Sequence, residues 1–163
     1  MILALPSEAS LVEAAGEIAR RWRGDGRAPL LIGLRGELGS GKTSWVRAML
    51  RGLGYAARVP SPTYTLLEAY PLGELVLVHL DLYRLSSAAE LENLGVRDWL
   101  ARPDLWLLAE WPERAGQLLA RCDLVVDFEI TGESSRCLAI ADASDAGRTA
   151  LDSIRDLDSR YSS

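Results

Sequence analysis

Gly36-Glu37-Leu38-Gly39-Ser40-Gly41-Lys42-Thr43 has the spacing of a phosphate-binding loop, G-x-x-x-x-G-K-[ST]. Each residue type has a chemical reason. The glycines let successive backbone N–H groups turn inward around phosphate oxygens, in conformations that a Cβ blocks. Lys42 brings a compact positive charge to the β- and γ-phosphates, and Thr43 offers a hydroxyl to Mg2+. The positive end of the helix that follows points at the same anion. The flanks agree. Pro29-Leu30-Leu31-Ile32-Gly33-Leu34 is a short apolar run of the kind that forms a buried strand. From Thr43 to Leu53, Trp45, Val46, Met49 and Leu50 recur at helical spacing, and Gly52 and Gly54 supply stop signals. Strand, loop and helix in this order predict an α/β fold.

Lys42 is also the only lysine of the chain; every other basic residue is arginine. A planar guanidinium does not fit where a slim ammonium must reach between phosphates, which gives this one lysine its reason.

The chain has 163 residues, 48% hydrophobic and 25% charged, enough for one globular domain with a core. Residues 1–142 read as that domain, and 143–163 as a C-terminal helix or tail belonging to it. No apolar run is long enough for a membrane span and no signal peptide is visible, so the expected location is cytoplasmic. Cys122 and Cys137 both lie in apolar stretches and read as reduced, buried thiols. The net charge of −5 argues against a dedicated nucleic-acid binder. It is unevenly spread: residues 1–60 carry nine basic and five acidic side chains, residues 61–163 nine and eighteen. Metal ligands, a partner with a basic face, and plain solvated surface all remain open for the acidic half.

The remaining segments take their places around the loop. Ile2 to Leu5 is a candidate first strand. Ser10-Leu11-Val12-Glu13 has the pattern of a capping box opening a helix with Leu11, Ala14, Ala15 and Ile18 on one face. Ser61-Pro62-Thr63-Tyr64-Thr65 follows Pro60 and is expected to be extended and stiff. It either places a hydroxyl near a γ-phosphate or is a simple proline-rich connection. Leu75-Val76-Leu77-Val78-His79-Leu80-Asp81 and Leu105-Trp106-Leu107-Leu108-Ala109-Glu110 are two apolar runs, each ending in a carboxylate. In a doubly wound sheet such strand ends meet the phosphate loop at one edge, where an acid serves Mg2+. Ser87-Ala88-Ala89-Glu90 starts a short helix through Leu94, and Pro112 starts another through Leu119. Leu124 to Thr131 and Arg136 to Asp142 form a hairpin across Gly132-Glu133-Ser134-Ser135. The last segment has Leu151, Ile154 and Leu157 at helical spacing and ends in a polar tail expected to fray.

Together, the phosphate loop, Ser61-Pro62-Thr63-Tyr64-Thr65, His79-Leu80-Asp81-Leu82-Tyr83-Arg84 and Glu110-Trp111-Pro112-Glu113 resemble the TsaE (YjeE) family over about residues 5–140. That family is the small bacterial ATPase of tRNA threonylcarbamoyladenosine synthesis. The loop departs mildly from its pattern: Glu37 stands where Asp is usual, Ser40 where Ala is usual, and Ser44 in place of a second Thr. The resemblance implies a three-layer P-loop NTPase core with a mixed parallel and antiparallel sheet, and ATP and Mg2+ as ligands. It implies as partners a threonylcarbamoyltransferase subunit (TsaD) and its inactive paralogue (TsaB), with tRNA met only through the complex. By position it implies that Gly39, Ser40, Gly41, Lys42, Thr43 and Ser44 bind phosphates and that Thr63 senses the γ-phosphate. Thr43 and Glu110 match the family's Mg2+ positions, Asp81 matches its second essential acid, and Trp111 is part of its signature. Pro6 to Leu11 lies where the family contacts adenine.

The resulting mechanism is slow, partner-dependent hydrolysis. Lys42 stabilises the transferring phosphoryl group, and Thr43 and Glu110 hold Mg2+. Asp81 orients either the attacking water or the Mg2+ shell. A strand-end Asp is the commoner direct ligand, whereas the resemblance points to Glu110, so both stand as metal candidates. The main rival is a small-molecule kinase, for which the chain is short and 61–84 shows no lid. A guanine-selective switch needs an Asn/Thr-Lys-x-Asp motif, which a single lysine at position 42 excludes. A non-enzymatic assembly factor ordered by bound nucleotide is the third reading.

Overall fold

The computed structural model describes residues 1–161. Seven strands form one sheet in the order β1-β7-β6-β2-β5-β4-β3. They are β1 (Ile2–Leu5), β2 (Leu30–Gly36), β3 (Leu67–Pro71), β4 (Val76–Asp81), β5 (Leu105–Glu110), β6 (Leu124–Ile130) and β7 (Arg136–Asp142). The central strands β6, β2, β5 and β4 run parallel, and β3, β7 and β1 pair antiparallel at the two margins. The expected mixed sheet is therefore present. The middle strands are apolar at almost every position because both of their faces are covered.

One core lies between the sheet and helices α1 (Glu8–Gly24), α2 (Lys42–Gly52), α6 (Asp145–Asp152) and α7 (Asp156–Tyr161). It receives Ile32 and Leu34 of β2, Leu77 of β4, and Trp106 and Leu108 of β5. The alternate residues Leu31, Val78, Leu80, Leu105, Leu107 and Ala109 enter a second core on the opposite face. There α3 (Ala88–Asn93), α4 (Val96–Leu100), a 3-10 turn (Pro112–Ala115) and α5 (Gly116–Leu119) supply the cover. The result is three layers, helix on sheet on helix. Parity also places His79, Asp81 and Glu110 in step with Leu77 and Leu108, on the face that carries α2.

Helices α1 and α2 pack closely, and a Cβ on Gly52 would lie 2.6 Å from the Gly16 carbonyl oxygen. Trp22 of α1 meets Trp106 edge to face, with centroids 6.0 Å apart, and its Nε1 donates to Ala150 O at 2.9 Å. A buried tryptophan thus has both its ring and its N–H accommodated.

Four local expectations need correction. The N-cap of α1 is Ser7, one turn earlier than Ser10: Ser7 Oγ accepts from Ser10 N at 3.2 Å and Ser10 Oγ accepts from Ser7 N at 3.1 Å. Serine closes this capping box where Glu or Gln is usual, and Glu13 instead pairs with Arg160. Residues 62–65 turn instead of extending, closed by Leu66 N donating to Pro62 O at 2.6 Å. Proline restricts the residue before it, whereas its own φ suits the start of a turn. The helix opened by Pro112 breaks at Ala115 (φ −128°, ψ 76°) into the 3-10 turn and α5. Cys137 is only half-buried, while Cys122 is buried, and burial pushes its thiol up to about 11. Ser87 does cap α3, although Glu90 reaches back to Ser86 and not to the cap residue itself. Residues 162–163, the end of the expected fraying tail, lie outside the described residues.

Candidate functional site

The phosphate loop joins the end of β2 to the start of α2, beside the carboxyl ends of β5 and β4. Two glycines make its turns possible. Gly36 has φ +141°, and a Cβ there would lie 2.6 Å from Phe128 O and 2.9 Å from Ser40 Oγ. Gly41, the N-cap of α2, has φ +108°, which side-chain-bearing residues rarely adopt. Leu11 of α1 packs against it, with Cδ1 3.1 Å from where a Cβ would sit. The segment expected near the adenine thus touches the loop.

Register brings the two strand-end acids together. Leu34 pairs with Glu110, and Glu110 with Asp81, on adjacent parallel strands. Both acids are buried. Thr43 Oγ1 donates to Glu110 Oε1 at 2.7 Å. Having spent its one proton there, that hydroxyl faces any cation with lone pairs. Asp81 accepts from Thr63 Oγ1 at 3.0 Å and from Tyr83 N at 3.0 Å. Thr63 in turn hydrogen-bonds Ser61 Oγ at 2.8 Å, so the 61–66 segment is tied to the strand-end acid through a hydroxyl chain.

Lys42 is 4% exposed. Its ammonium donates to Gly36 O at 2.7 Å, Glu37 O at 2.9 Å and Ser40 Oγ at 3.3 Å, and sits 4.2 Å from the Trp111 ring centroid. Burial lowers its pKa from the ordinary lysine value, against the opposing pull of Glu110, Asp81 and Glu113. Trp111 is held in the left-handed region, at φ +57°, and its N donates to Leu34 O at 3.1 Å. For so bulky a residue that backbone is strained, and it brings the ring to Lys42 and to Tyr83, 5.1 Å away.

Gly39, Gly41, Lys42, Thr43, Ser44, Thr63, Asp81 and Glu110 all line one open cleft of about 400 Å3. Leu38, Ser61, Tyr83, Arg84 and Trp111 complete its walls. Ser40 does not line it: its side chain is fully buried beneath the loop. Thr43, Asp81 and Glu110 offer only hard oxygen donors, the kind Mg2+ prefers. Among the described residues no group of three or more His, Cys, Asp or Glu is placed to hold a metal alone. Two carboxylates and a hydroxyl suit an ion that takes its other ligands from phosphate and water.

Two residues here carry no signal of their role in the sequence. His79 Nε2 lies 2.8 Å from Glu110 Oε1. Arg136, at the start of β7, donates from Nε to Ser40 O at 3.0 Å and from Nη2 to Gly39 O at 3.2 Å, while Nη1 holds Gly132 O and Ser135 O. It braces the outer side of the loop to the β6–β7 hairpin. Its sequence separation of 96 from Ser40 left no local signal. Arg136→Ala is expected to weaken nucleotide binding by roughly tenfold, as loss of a charged donor to two carbonyls of one loop implies. Titration calorimetry with ADP checks this, and unchanged affinity contradicts it.

Among the described residues, no helix is long and apolar enough to cross a membrane. The family model "Threonylcarbamoyl adenosine biosynthesis protein TsaE" matches residues 5–138. The tRNA threonylcarbamoyladenosine biosynthesis protein TsaE of Haemophilus influenzae is 38% identical over 112 residues, spanning 69% of this chain and 70% of that one. The protein of the same name from Aquifex aeolicus is 34% identical over 138 residues, 83% of this chain and 92% of its own. The crystal structure of Bacillus subtilis YdiB superposes with a TM-score of 0.75 at 20% identity, covering 97% of this chain and 95% of that one. At that identity the likeness concerns the fold.

Proposed function

The chain belongs to the TsaE family of tRNA threonylcarbamoyladenosine biosynthesis, and on that premise we propose that it is the pathway's Mg2+-dependent ATPase. The observation that carries this reading is the meeting, in one cleft, of the phosphate loop with Thr43, Asp81 and Glu110. The loop amides and Lys42 bind the β- and γ-phosphates and stabilise charge on the transferring group. Thr43 and Glu110 would hold Mg2+, which would supply charge that neutralises the phosphates. Asp81, fixed by Tyr83 N and Thr63, orients the attacking water from the next strand. Thr63 senses the γ-phosphate through that bond.

Hydrolysis is slow alone and serves a complex with a threonylcarbamoyltransferase subunit and its paralogue, through which tRNA is reached, in the cytoplasm. One feature supports dependence on a partner. Tyr64 and Leu38, 83% and 73% exposed, are the most exposed large apolar side chains among the described residues; Leu38 lines the cleft, and Tyr64 follows Thr63, which lines it too. Tyr64 is stacked under the Arg84 guanidinium at 4.6 Å, and Arg84 lines the cleft.

The test is phosphate release from ATP by the wild-type chain, Asp81→Asn and Glu110→Gln, each with the transferase pair. Loss of one charged or oriented group at the reacting phosphate is expected to lower the rate about a hundredfold. Equal rates in all three overturn the reading. Transfer of phosphate to a nucleoside or sugar in place of water would make the chain a kinase instead.

A further inference from the structure

We propose that His79, the single histidine of the chain, is a positioning residue that fixes Glu110 and, through it, the Thr43 hydroxyl. The inference rests on the reading of Thr43 and Glu110 as the Mg2+ side of the site.

His79 is fully buried on β4 and reaches diagonally across to the end of β5: its register partner is Leu108, two residues before Glu110. Glu110 Oε1 receives both Thr43 Oγ1 at 2.7 Å and His79 Nε2 at 2.8 Å. A carboxylate oxygen only accepts, so the ring carries its proton on Nε2. Two donors from different elements, one on the sheet and one on α2, converge on one oxygen. Together they fix the carboxylate's rotamer and leave Oε2 for a third group. The hydroxyl of Thr43 is fixed by the same contact, because its proton is committed to Oε1.

Packing alone gives no reason for a histidine here. With the proton on Nε2, Nδ1 is a bare acceptor, and among the described residues it has no partner. Leaving a buried polar atom unpaired is unfavourable. The neighbours in register and parity, Leu77 and Leu108, are leucines, and leucine at 79 would have no such atom. The imidazole therefore earns its place through Nε2 alone. Outer residues that orient a metal's ligands commonly change metal affinity about 10- to 100-fold when removed.

The experiment uses the full chain with ADP, with and without Mn2+, and three substitutions. Gln at 79 can carry an N–H to the place of Nε2; Asn is polar but too short; Leu carries none. Mn2+ affinity at saturating ADP is read by electron paramagnetic resonance, metal-free ADP affinity by calorimetry, and stability by thermal melting. His79→Asn and His79→Leu are expected to bind Mn2+ about tenfold more weakly. Metal-free ADP affinity should be unchanged, and His79→Gln should stay near wild type. Mn2+ affinities equal to wild type in all three overturn the proposal. So does an equal fall in all three, His79→Gln included, because that is the mark of a packing role. If His79→Leu does not fold, the comparison of Gln with Asn decides alone. Failure of the wild-type chain to couple Mn2+ to ADP at all would count against the metal reading of Thr43 and Glu110, and is separate from these outcomes.

Discussion

Lys42→Met is expected to lower affinity for ATP about a hundredfold, as loss of charge-assisted hydrogen bonds to two phosphates implies. The melting temperature should not fall. The two effects have different origins. Lys42 is nearly enclosed, and burial depresses its pKa. In a group whose folded pKa is lowered, the protonated form is disfavoured by folding. That unfavourable contribution is fully present below the folded pKa and disappears as pH rises past the ordinary value of 10.5. At neutral pH burial of the lysine charge thus carries a cost, opposed by Glu110, Asp81 and Glu113 and by the hydrogen bonds to Gly36 O, Glu37 O and Ser40 Oγ. Methionine keeps the apolar stem against Trp111 and removes the buried charge. Lys42→Arg is expected to bind nearly as poorly, although it keeps the charge. The ammonium fits between Gly36 O, Glu37 O and Ser40 Oγ, under the Trp111 ring, where a planar fork has no matching space. Melting curves with and without Mg-ATP read the result directly. A ligand at one hundred times its Kd adds about 2.7 kcal/mol to stability. Wild type should therefore shift upward by that much, while a variant a hundredfold weaker gains only about 0.4 kcal/mol. A ligand-induced shift in Lys42→Met as large as wild type would remove the lysine from the site.

The parts of this site that the sequence announces share one property: their signal is local or periodic. The loop from Gly36 to Thr43 is a contiguous pattern, and the strand before it and the helix after it declare themselves by apolar spacing. Asp81 and Glu110 are legible because each terminates an apolar run, and parallel strands bring their carboxyl ends to one edge. What the sequence hides is contact between distant groups of ordinary type. Arg136 is one of many arginines, and nothing around it refers to residues 39 and 40. His79 stands in an otherwise apolar strand, and its role depends on a diagonal reach to Glu110 that only register fixes. The misplaced cap of α1 has a different cause. Ser10 with Glu13 has the usual spacing and residue types of a capping box, whereas the cap that forms, Ser7, is boxed by a second serine, which that pattern does not cover. At 62–65 proline keeps the residue before it extended but leaves the residues after it free, and a turn satisfies Pro62 as well.

Gly147→Ala is expected to cost about 3 kcal/mol or more, the upper range for forcing atoms into a filled core. At this chain length that corresponds to a fall in melting temperature of roughly 6–12 °C. A Cβ on Gly147 would lie 1.9 Å from Asp123 O and 2.7 Å from its carbonyl carbon, and a backbone carbonyl cannot swing aside as a side chain can. Asp123 is also pinned from every side. Its N donates to Leu31 O at 2.7 Å, its O accepts from Ala143 N at 2.8 Å, and its carboxylate accepts from Leu31 N at 2.8 Å and from Ser144 Oγ at 2.6 Å. Ser144 in turn caps α6 by accepting from Gly147 N at 3.0 Å. Moving α6 away to admit the methyl group breaks this junction between β2, β6 and the helix. Gly116→Ala supplies the contrast of sign. Gly116 begins α5 with helical dihedrals (φ −52°, ψ −31°) and has nothing within 4 Å of a new Cβ. There alanine should stabilise by up to about 1 kcal/mol, through a less flexible unfolded chain. The pair tests our proposal that residues 143–163 belong to the same domain as residues 1–142. If the C-terminal segment were an appendage, Gly147→Ala would loosen α6 alone and leave the global transition where it is. If it is part of the domain, the whole transition must move. Leu151, Ile154 and Leu157 sit in the same core as Trp22 and Ile32, so α6 and α7 cannot leave without opening the face on which α1 and α2 are stacked.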